Sequence, residues 1–504
     1  MTPIMSLKVA VVGAGLSGKA MAIALDRYQQ AADSHLQVCL IDQGAIDDDM
    51  ANDGPEGNEA TEKGEVSGDA DNKRARQRPA GVYDSADQAF LLADTRTYSL
   101  TPASVRYLDA LAYSTHNDQI LSRETGPLNP YKNIEVWDKA SGSTICFKSE
   151  NARLPYLGAM VEHRHLNRYL TRQLQDSQVV RMPHTKLVGF NYEALEQERI
   201  SEVEGFASQN SARPAGIDRF EKARRGASTT KPVALTLLQT AREIVETFDL
   251  VIACDGSESQ VRELAGIESR DKDYEQSAIV CNVLAELTHN RQTPTALQVF
   301  AKTGPCAMLP LKLFDGEKAS DTKQGLFNQG LFNIVWSHDN VSDDGSVESL
   351  MNCSDTEFLT SLNRLVQDES LVFTAVSKRH AVPLKKVVAK HMSANGLALV
   401  GDAAHFIHPL AGQGINLGFA DVAALMQALQ NTPGVQQGLN LHQALNRYAR
   451  ARSLHNKSTA GVMDLFYAGF KLDSPLSRYV RAKGMNRFAA SNMLKRMMTT
   501  LVSR

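Results

Sequence analysis

A short strand that stops at glycines and runs straight into a helix narrows the folds open to this chain more than any other feature. Lys8 to Val12 is mainly apolar and ends at Gly13-Ala14-Gly15-Leu16-Ser17-Gly18; Ser17 to Tyr28 follows with helical spacing. Leu36 to Ile41 is a second apolar run, closed by Asp42. Strand, glycine-rich turn, helix and strand open a Rossmann-type parallel sheet. Gly13 permits the tight turn, Gly15 lets the backbone approach a pyrophosphate, and Gly18 lets the helix pack on the strand. The phosphates would sit at the positive end of the helix dipole. Asp42 is placed to accept hydrogen bonds from an adenosine ribose.

Two further segments carry the same kind of chemistry. Leu250 to Cys254 is a buried-strand pattern that ends in Asp255-Gly256, with Ser259 and Arg262 at the spacing of a turn or a capped helix start. Leu397 to Val400 is an apolar strand leading into Gly401-Asp402, a loop bearing Pro409, and Gly412-Gln413-Gly414. From Gly414 the spacing is helical, with Leu417, Ala420, Ala424, Leu425 and Ala428 on one side. Asp402 can bind the hydroxyls of a polyol chain. The free N–H groups from Gly412 to Asn416 favour developing negative charge. His405 and His408, with no third ligand near them, do not make a metal site, and none is expected.

The 504 residues exceed one ordinary domain. A formal charge of -3 argues against nucleic acid as a partner. The six cysteines are scattered without a CxxC pair and read as buried hydrophobes in a reducing compartment. No apolar run reaches the roughly 18–20 residues of a membrane span, and the N-terminus lacks a signal-peptide layout. A cytoplasmic protein is expected.

The expected organisation is interleaved. Residues 1–130, 151–275 and 391–435 would form the dinucleotide-binding unit. Residues 131–150 and 276–390 would supply a second, largely antiparallel sheet, because Ile134–Phe147, Ser277–Glu286, Leu297–Leu311 and Leu331–Ser337 are rich in β-branched and aromatic residues. Residues 436–504 would be a helical tail. Within 45–88, the stretch Ile46–Asn72 holds ten acidic residues against one lysine and reads as a disordered surface insertion. Residues 193–231 form a second polar insertion, and a third lies near 315–329.

The three segments GAGLSG, ACDGSESQVR and GDAAHFIHPLAGQGINLG resemble, in order and spacing, the three fingerprints of group A flavoprotein monooxygenases, the p-hydroxybenzoate hydroxylase class. HPLAGQGINLGFAD, IEVWDK, YLGAMVE and MLPL are similar to the narrower ubiquinone-biosynthesis hydroxylase family. The resemblance covers nearly the whole chain apart from the insertions and the end of the tail. It implies a Rossmann-type FAD-binding domain of p-hydroxybenzoate hydroxylase type, with an interleaved, mostly antiparallel substrate-binding sheet and C-terminal helices.

It further implies FAD as cofactor and NAD(P)H as co-substrate, with dioxygen used through a C4a-hydroperoxyflavin. Gly13, Gly15, Gly18 and Asp42 would hold the ADP half, and Arg96 would lie along the flavin. Asp255 and Gly256 match a motif associated with both FAD and NAD(P)H. Gly401 and Asp402 would contact the ribityl chain. Pro409, Gly412, Gln413 and Gly414, with Asn416, would surround the ring system. Tyr98 and His380 are candidates for activating a phenol. His163 stands where many relatives carry Arg or Gln.

The expected substrate is a polyprenylated phenol of ubiquinone biosynthesis. From Lys471 to Arg504 eight Lys or Arg and one acid are interleaved with apolar residues. That pattern suits a peripheral position on an anionic membrane surface or within a biosynthetic complex, and equally a basic helix packed on its own protein. Two alternatives stay open: a monooxygenase for another aromatic compound, including an epoxidase or halogenase of related fold, and a non-catalytic flavin-binding subunit. Trp137 and Trp336 are too far apart for the WxWxIP signature of such halogenases.

Overall fold

The computed structural model describes residues 7–32, 36–46, 90–91, 93–113, 128–191, 232–287, 293–301, 303–315, 327–340, 346–368, 370–406, 414–435 and 440–453. The acidic stretch 47–72, the insertion 193–231, the loop 407–413 and the basic tail lie outside them.

The first strand, Leu7–Val12, leads into the helix Leu16–Ala32 and returns as Leu36–Ile41. These strands form the middle of a six-stranded sheet with the order Ser393–Ala394, Leu397–Leu399, Leu250–Ala253, Leu7–Val12, Leu36–Ile41, Val180–Met182. All its pairings are parallel except the edge pair Ser393–Ala394 with Leu397–Leu399. A strand covered on both faces must be apolar throughout. Val9, Ala10 and Val11, like Leu250 to Ala253, are completely buried.

Register matters more here than composition. Val12 stands opposite Ala253, and Ala253 opposite Leu399. The next amides continue the ladder, with Cys254 donating to the Val12 carbonyl at 2.7 Å and Val400 to the Ala253 carbonyl at 2.9 Å. Segments some 240 and 390 residues beyond Val12 therefore leave the sheet at the same edge as it does, the carboxyl end where open α/β sheets hold their ligands.

The second large sheet is built around the 19-residue strand Ser269–Leu287. It pairs antiparallel with Phe327–Asp339, Leu371–Val376 and His380–Ala389. The sheet continues through Gly304–Asp315 and Thr295–Ala301 to Asn133–Asp138 and Ser143–Lys148. Among the described residues its one parallel pairing joins Thr295–Ala301 to Asn133–Asp138. The run Leu297–Leu311 resolves into two strands of a hairpin. His405–Phe406, within the third glycine-rich segment, also pairs with this sheet, at Val387 and Val388. The two sheets thus share a stretch of chain.

Several elements carry weaker sequence patterns. The helices Val347–Asn352 and Asp355–Val366 cover one face of the second sheet. A capping box at Ser354 and Glu357 starts the longer one, and Phe358 packs on Trp336 with ring centroids 5.9 Å apart. Thr185–Asn191, Val233–Gln239 and Arg242–Phe248 form a separate antiparallel sheet. Asn191 stands opposite Ala234, so the polar insertion leaves and re-enters at neighbouring positions, where loop length costs little. Thr97–Leu100, Gly158–Glu162 and Asn129–Tyr131 make a third small sheet.

A buried ionic cluster ties the C-terminal part to the first sheet. Asp421 lies in the helix Gly414–Gln430 and is fully buried. Its Oδ2 accepts from the Gly401 amide at 2.9 Å and His405 Nε2 at 2.6 Å, and its Oδ1 accepts from Arg452 Nε at 2.5 Å. Burial alone would raise the Asp421 carboxyl; His405 and Arg452 outweigh it and hold it below the usual carboxylate range. Removing one partner of such a cluster costs about 3–5 kcal/mol, whereas replacing it by apolar groups can be neutral. Asp421→Asn should therefore destabilise the fold by about that much in urea unfolding. Asp421→Leu combined with Arg452→Met should lose clearly less.

Candidate functional site

The glycines of the first turn divide into two kinds. Gly13 has φ +100°, and a Cβ there would lie 2.5 Å from the Cys254 carbonyl oxygen. A Cβ on Gly18 would collide with the Gly13 carbonyl oxygen. These two are required by the protein's own packing. Gly15 and Gly256 differ, because a Cβ on either meets no atom of the described residues within 4 Å, although Gly256 has φ +89°. Both face open space at the carboxyl edge of the first sheet, as a cradle for an incoming group would.

Asp42 follows the second strand and is held by both oxygens. Oδ2 accepts from the Ala14 amide at 2.5 Å and Oδ1 from the Gly44 amide at 2.7 Å. A carboxylate has about four lone-pair directions, so each oxygen can still accept from a ribose hydroxyl. In the second segment, Ser259 caps the helix Gln260–Leu264 by accepting from the Arg262 amide. Asp255 Oδ2 accepts from the Val261 amide at 3.0 Å. Asp255 Oδ1 is buried with no hydrogen-bond partner among the described residues. Burial raises the Asp255 carboxyl above its usual range, partly offset by Ser259 and nearby amides. Arg262 bridges to the third segment through Nη1 and the Ala403 carbonyl, at 2.8 Å.

In the third segment, Gly401 begins a single 3-10 turn and Asp402 is open to solvent. The surrounding protein still raises the Asp402 carboxyl by desolvation, against the lowering effect of His405 and Arg96. Asn416 is buried and both ends of its side chain are engaged: Nδ2 donates to the Ser99 carbonyl at 2.7 Å and Oδ1 accepts from the Thr101 amide at 2.9 Å. Gly414 opens the helix, and a Cβ there would meet nothing within 4 Å. Pro409, Gly412 and Gln413 lie outside the described residues.

Around Asp402 the structure gathers the Thr97–Leu100 strand and its neighbours. The Tyr98 hydroxyl lies 3.0 Å from His163 Nδ1. Desolvation raises the Tyr98 phenol, while Arg96 acts to lower it and Asp402 and Asp94 to raise it. His163 is pushed down to about 4 by burial, with Arg96 and Lys19 adding in the same direction. Arg96, itself exposed, therefore acts electrostatically on Tyr98, His163 and Asp402 together. His380 is exposed at the start of its strand, opposite Val280 of the long strand. Among the described residues no group of His, Cys, Asp and Glu could hold a metal ion.

The sequence pattern does not reveal the Asp421–His405 pair as a support for Gly401. One signal was available: Asp421 falls four residues after Leu417, on the side that helical spacing makes apolar. The Tyr98–His163 contact had no sequence signal, since it depends on Tyr98 pairing with Val161 in the small sheet.

Comparison with known proteins places this geometry. The FAD binding domain family matches residues 229–460. The chain is 28% identical over 421 residues to 3-demethoxyubiquinol 3-hydroxylase of Escherichia coli, covering 82% of this chain and 90% of that protein. It is 27% identical over 423 residues to the mitochondrial ubiquinone biosynthesis monooxygenase COQ6 of Xenopus tropicalis, covering 81% and 82%. Among solved structures, p-nitrophenol 4-monooxygenase PnpA of Pseudomonas putida superposes with a TM-score of 0.62 at 14% identity, covering 98% of each chain. PqsL of Pseudomonas aeruginosa, described as a probable FAD-dependent monooxygenase, gives 0.57 at 18%, covering 95% of this chain and 99% of that one. At those identities the structural likeness concerns the fold.

Two measurements test the site. Gly15→Ala should leave thermal stability near that of the wild type but weaken FAD uptake in a fluorescence titration, whereas Gly18→Ala should lower stability itself. His163 has an ordinary pKa of 6.5, so its depressed folded value means the unfolded chain binds more protons between about pH 4 and 6.5. Its contribution to stability is complete above pH 6.5 and is lost as pH falls towards 4. The difference in melting temperature between wild type and His163→Gln should change across that window and level off above it.

Proposed function

We propose that this chain, which carries a match to the FAD binding domain family and is similar to ubiquinone-biosynthesis hydroxylases, is an FAD-dependent monooxygenase that hydroxylates the aromatic ring of a polyprenylated phenol at the expense of NAD(P)H and dioxygen. The observation that carries this reading is the convergence of the turns after Val12, Ala253 and Val400 at one sheet edge, with Gly15 and Gly256 open towards it.

FAD, when bound, supplies hydride acceptance from a nicotinamide and activation of dioxygen for transfer to an electron-rich carbon. The residues of the chain provide the rest. Gly13, Gly15 and Gly18 shape the turn on which the pyrophosphate rests, at the N-terminus of a 17-residue helix. Asp42 receives the adenosine ribose and Asp402 the ribityl hydroxyls. Arg96 lies beside the ring system. By the resemblance, Pro409, Gly412 and Gln413, with Gly414, would line the ring system. The first turn of the helix Gly414–Gln430 carries no acidic residue, so its free N–H groups are available to developing negative charge. The Tyr98 phenol is held 3.0 Å from His163 Nδ1, ready to share a proton with a hydroxyl placed between the two sheets.

The choice of a prenylated substrate rests on the relatives' names and on the basic, apolar-rich composition of residues 471–504, which suits docking on an anionic membrane surface. Among the described residues no helix is long and apolar enough to cross a membrane. The purified protein should be yellow and should consume NAD(P)H only when dioxygen is present. Lipid extracts of a deletion strain should accumulate a prenylated phenol one hydroxyl short of the product. A colourless protein that takes up no flavin would refute the proposal, and normal quinone content in the deletion strain would refute the substrate.

A further inference from the structure

Asn282 and Asn333 are 0% and 2% exposed and stand directly opposite each other on the two central strands of the antiparallel sheet. Alternation places them on the face carrying Ala278, Val280, Leu331 and Val335, away from the helices that cover the other face. Two buried amides on a largely apolar face need a reason, since an apolar pair there would avoid their desolvation.

Their hydrogen bonds supply it. Asn333 Nδ2 donates to Asn282 Oδ1 at 2.9 Å and to the Thr95 carbonyl at 3.0 Å. Asn282 Nδ2 donates to the carbonyls of Asp94 at 3.1 Å and Ala93 at 3.3 Å. The pair thus serves three successive carbonyls of a segment that belongs to no helix or strand. The same segment is gripped from the small sheet. The Asp94 amide donates to Glu162 Oε2 at 2.8 Å, and the Arg96 carbonyl accepts from the His163 amide at 2.8 Å. Within the segment, the Arg96 amide donates to Asp94 Oδ1 at 2.8 Å. Fixed from both sides, the backbone delivers the exposed Arg96 side chain to the neighbourhood of Asp402, Tyr98 and His163.

We propose that Asn282 and Asn333 are positioning residues: through the carbonyls of residues 93–95 they set the place of Arg96 beside the flavin. The proposal rests on the reading of Arg96 as a flavin-side residue. A tie through the sheet also makes the substrate-binding layer and the cofactor layer share one anchor, so displacement of either is felt at Arg96.

A double-mutant cycle read by FAD titration tests this without relying on turnover. Arg96→Ala should weaken FAD binding in the wild-type background, roughly tenfold, a size within the ordinary range for groups in one network. Asn333→Leu should weaken it comparably and make Arg96→Ala nearly silent when the two are combined. Gly15→Ala should keep its full effect in the Asn333→Leu background. Asn282→Ser, which removes the donors to Ala93 and Asp94, carries the same cycle if Asn333→Leu does not fold. Equal effects of Arg96→Ala with and without the asparagine change would overturn the positioning role. A wild-type protein that binds FAD while Arg96→Ala is silent would overturn the Arg96 assignment beneath it, a different and recognisable result.

Discussion

Parallel pairing of Leu7–Val12 with Leu250–Ala253, and of that strand with Leu397–Leu399, sets the geometry of everything else in the molecule. Each strand is short and almost wholly apolar, so it is stable only when covered on both faces. Once the register is fixed, the turn after each strand has nowhere to go but the same edge. The glycine-rich turn, Asp255-Gly256 and Gly401-Asp402 are brought together by the backbone hydrogen bonds of the sheet and pack closely on one another, Gly13 against Cys254. Arg262 and Asp421 then lock the assembly, the first by reaching the Ala403 carbonyl and the second by accepting from the Gly401 amide.

The chain divides its polar burial between two tasks. Asp421, His405 and Arg452 join the cofactor-side sheet, the helix that follows it and the helix over residues 441–453. Asn282 and Asn333 join the antiparallel sheet to the segment that carries Arg96. Neither group adds much by way of apolar contact. Each instead specifies one relative placement among many that a purely apolar interface would tolerate, a use of buried polar groups that trades stability for uniqueness. Placement of this kind matters wherever groups must meet in one site, since small misplacements of reacting groups are costly.

Much of the fold was legible from residue order. The run from Lys8 to Asp42 has the length and spacing of strand, turn, helix and strand, and the structure has those elements at Leu7–Val12, Leu16–Ala32 and Leu36–Ile41. The second sheet was legible as β-rich runs, although its division into strands was not. Leu297–Leu311 is a hairpin, and His405–Phe406 crosses over to this sheet from within a glycine-rich motif. Thr185–Asn191 and Val233–Gln239 were not legible as partners, because a long polar insertion separates them; the helix Asp355–Val366 did carry a signal, the capping-box spacing of Ser354 and Glu357, that the reading of the sequence passed over.

Local chemistry is written in the chain because it depends on neighbours a few residues apart: a glycine where a turn has positive φ, an acid at a strand's end, a serine at a helix cap. That level contains the three motifs, their order, and the kind of cofactor they suit. Distance along the chain is no guide to distance in space, so the remaining decisions belong to the folded molecule. Only there does Asn416 prove to spend its side chain on Ser99 and Thr101, Tyr98 meet His163, and two asparagines on separate strands hold the segment leading to Arg96. Each of these pairings follows from strand register and sheet packing, which are set by the whole core together.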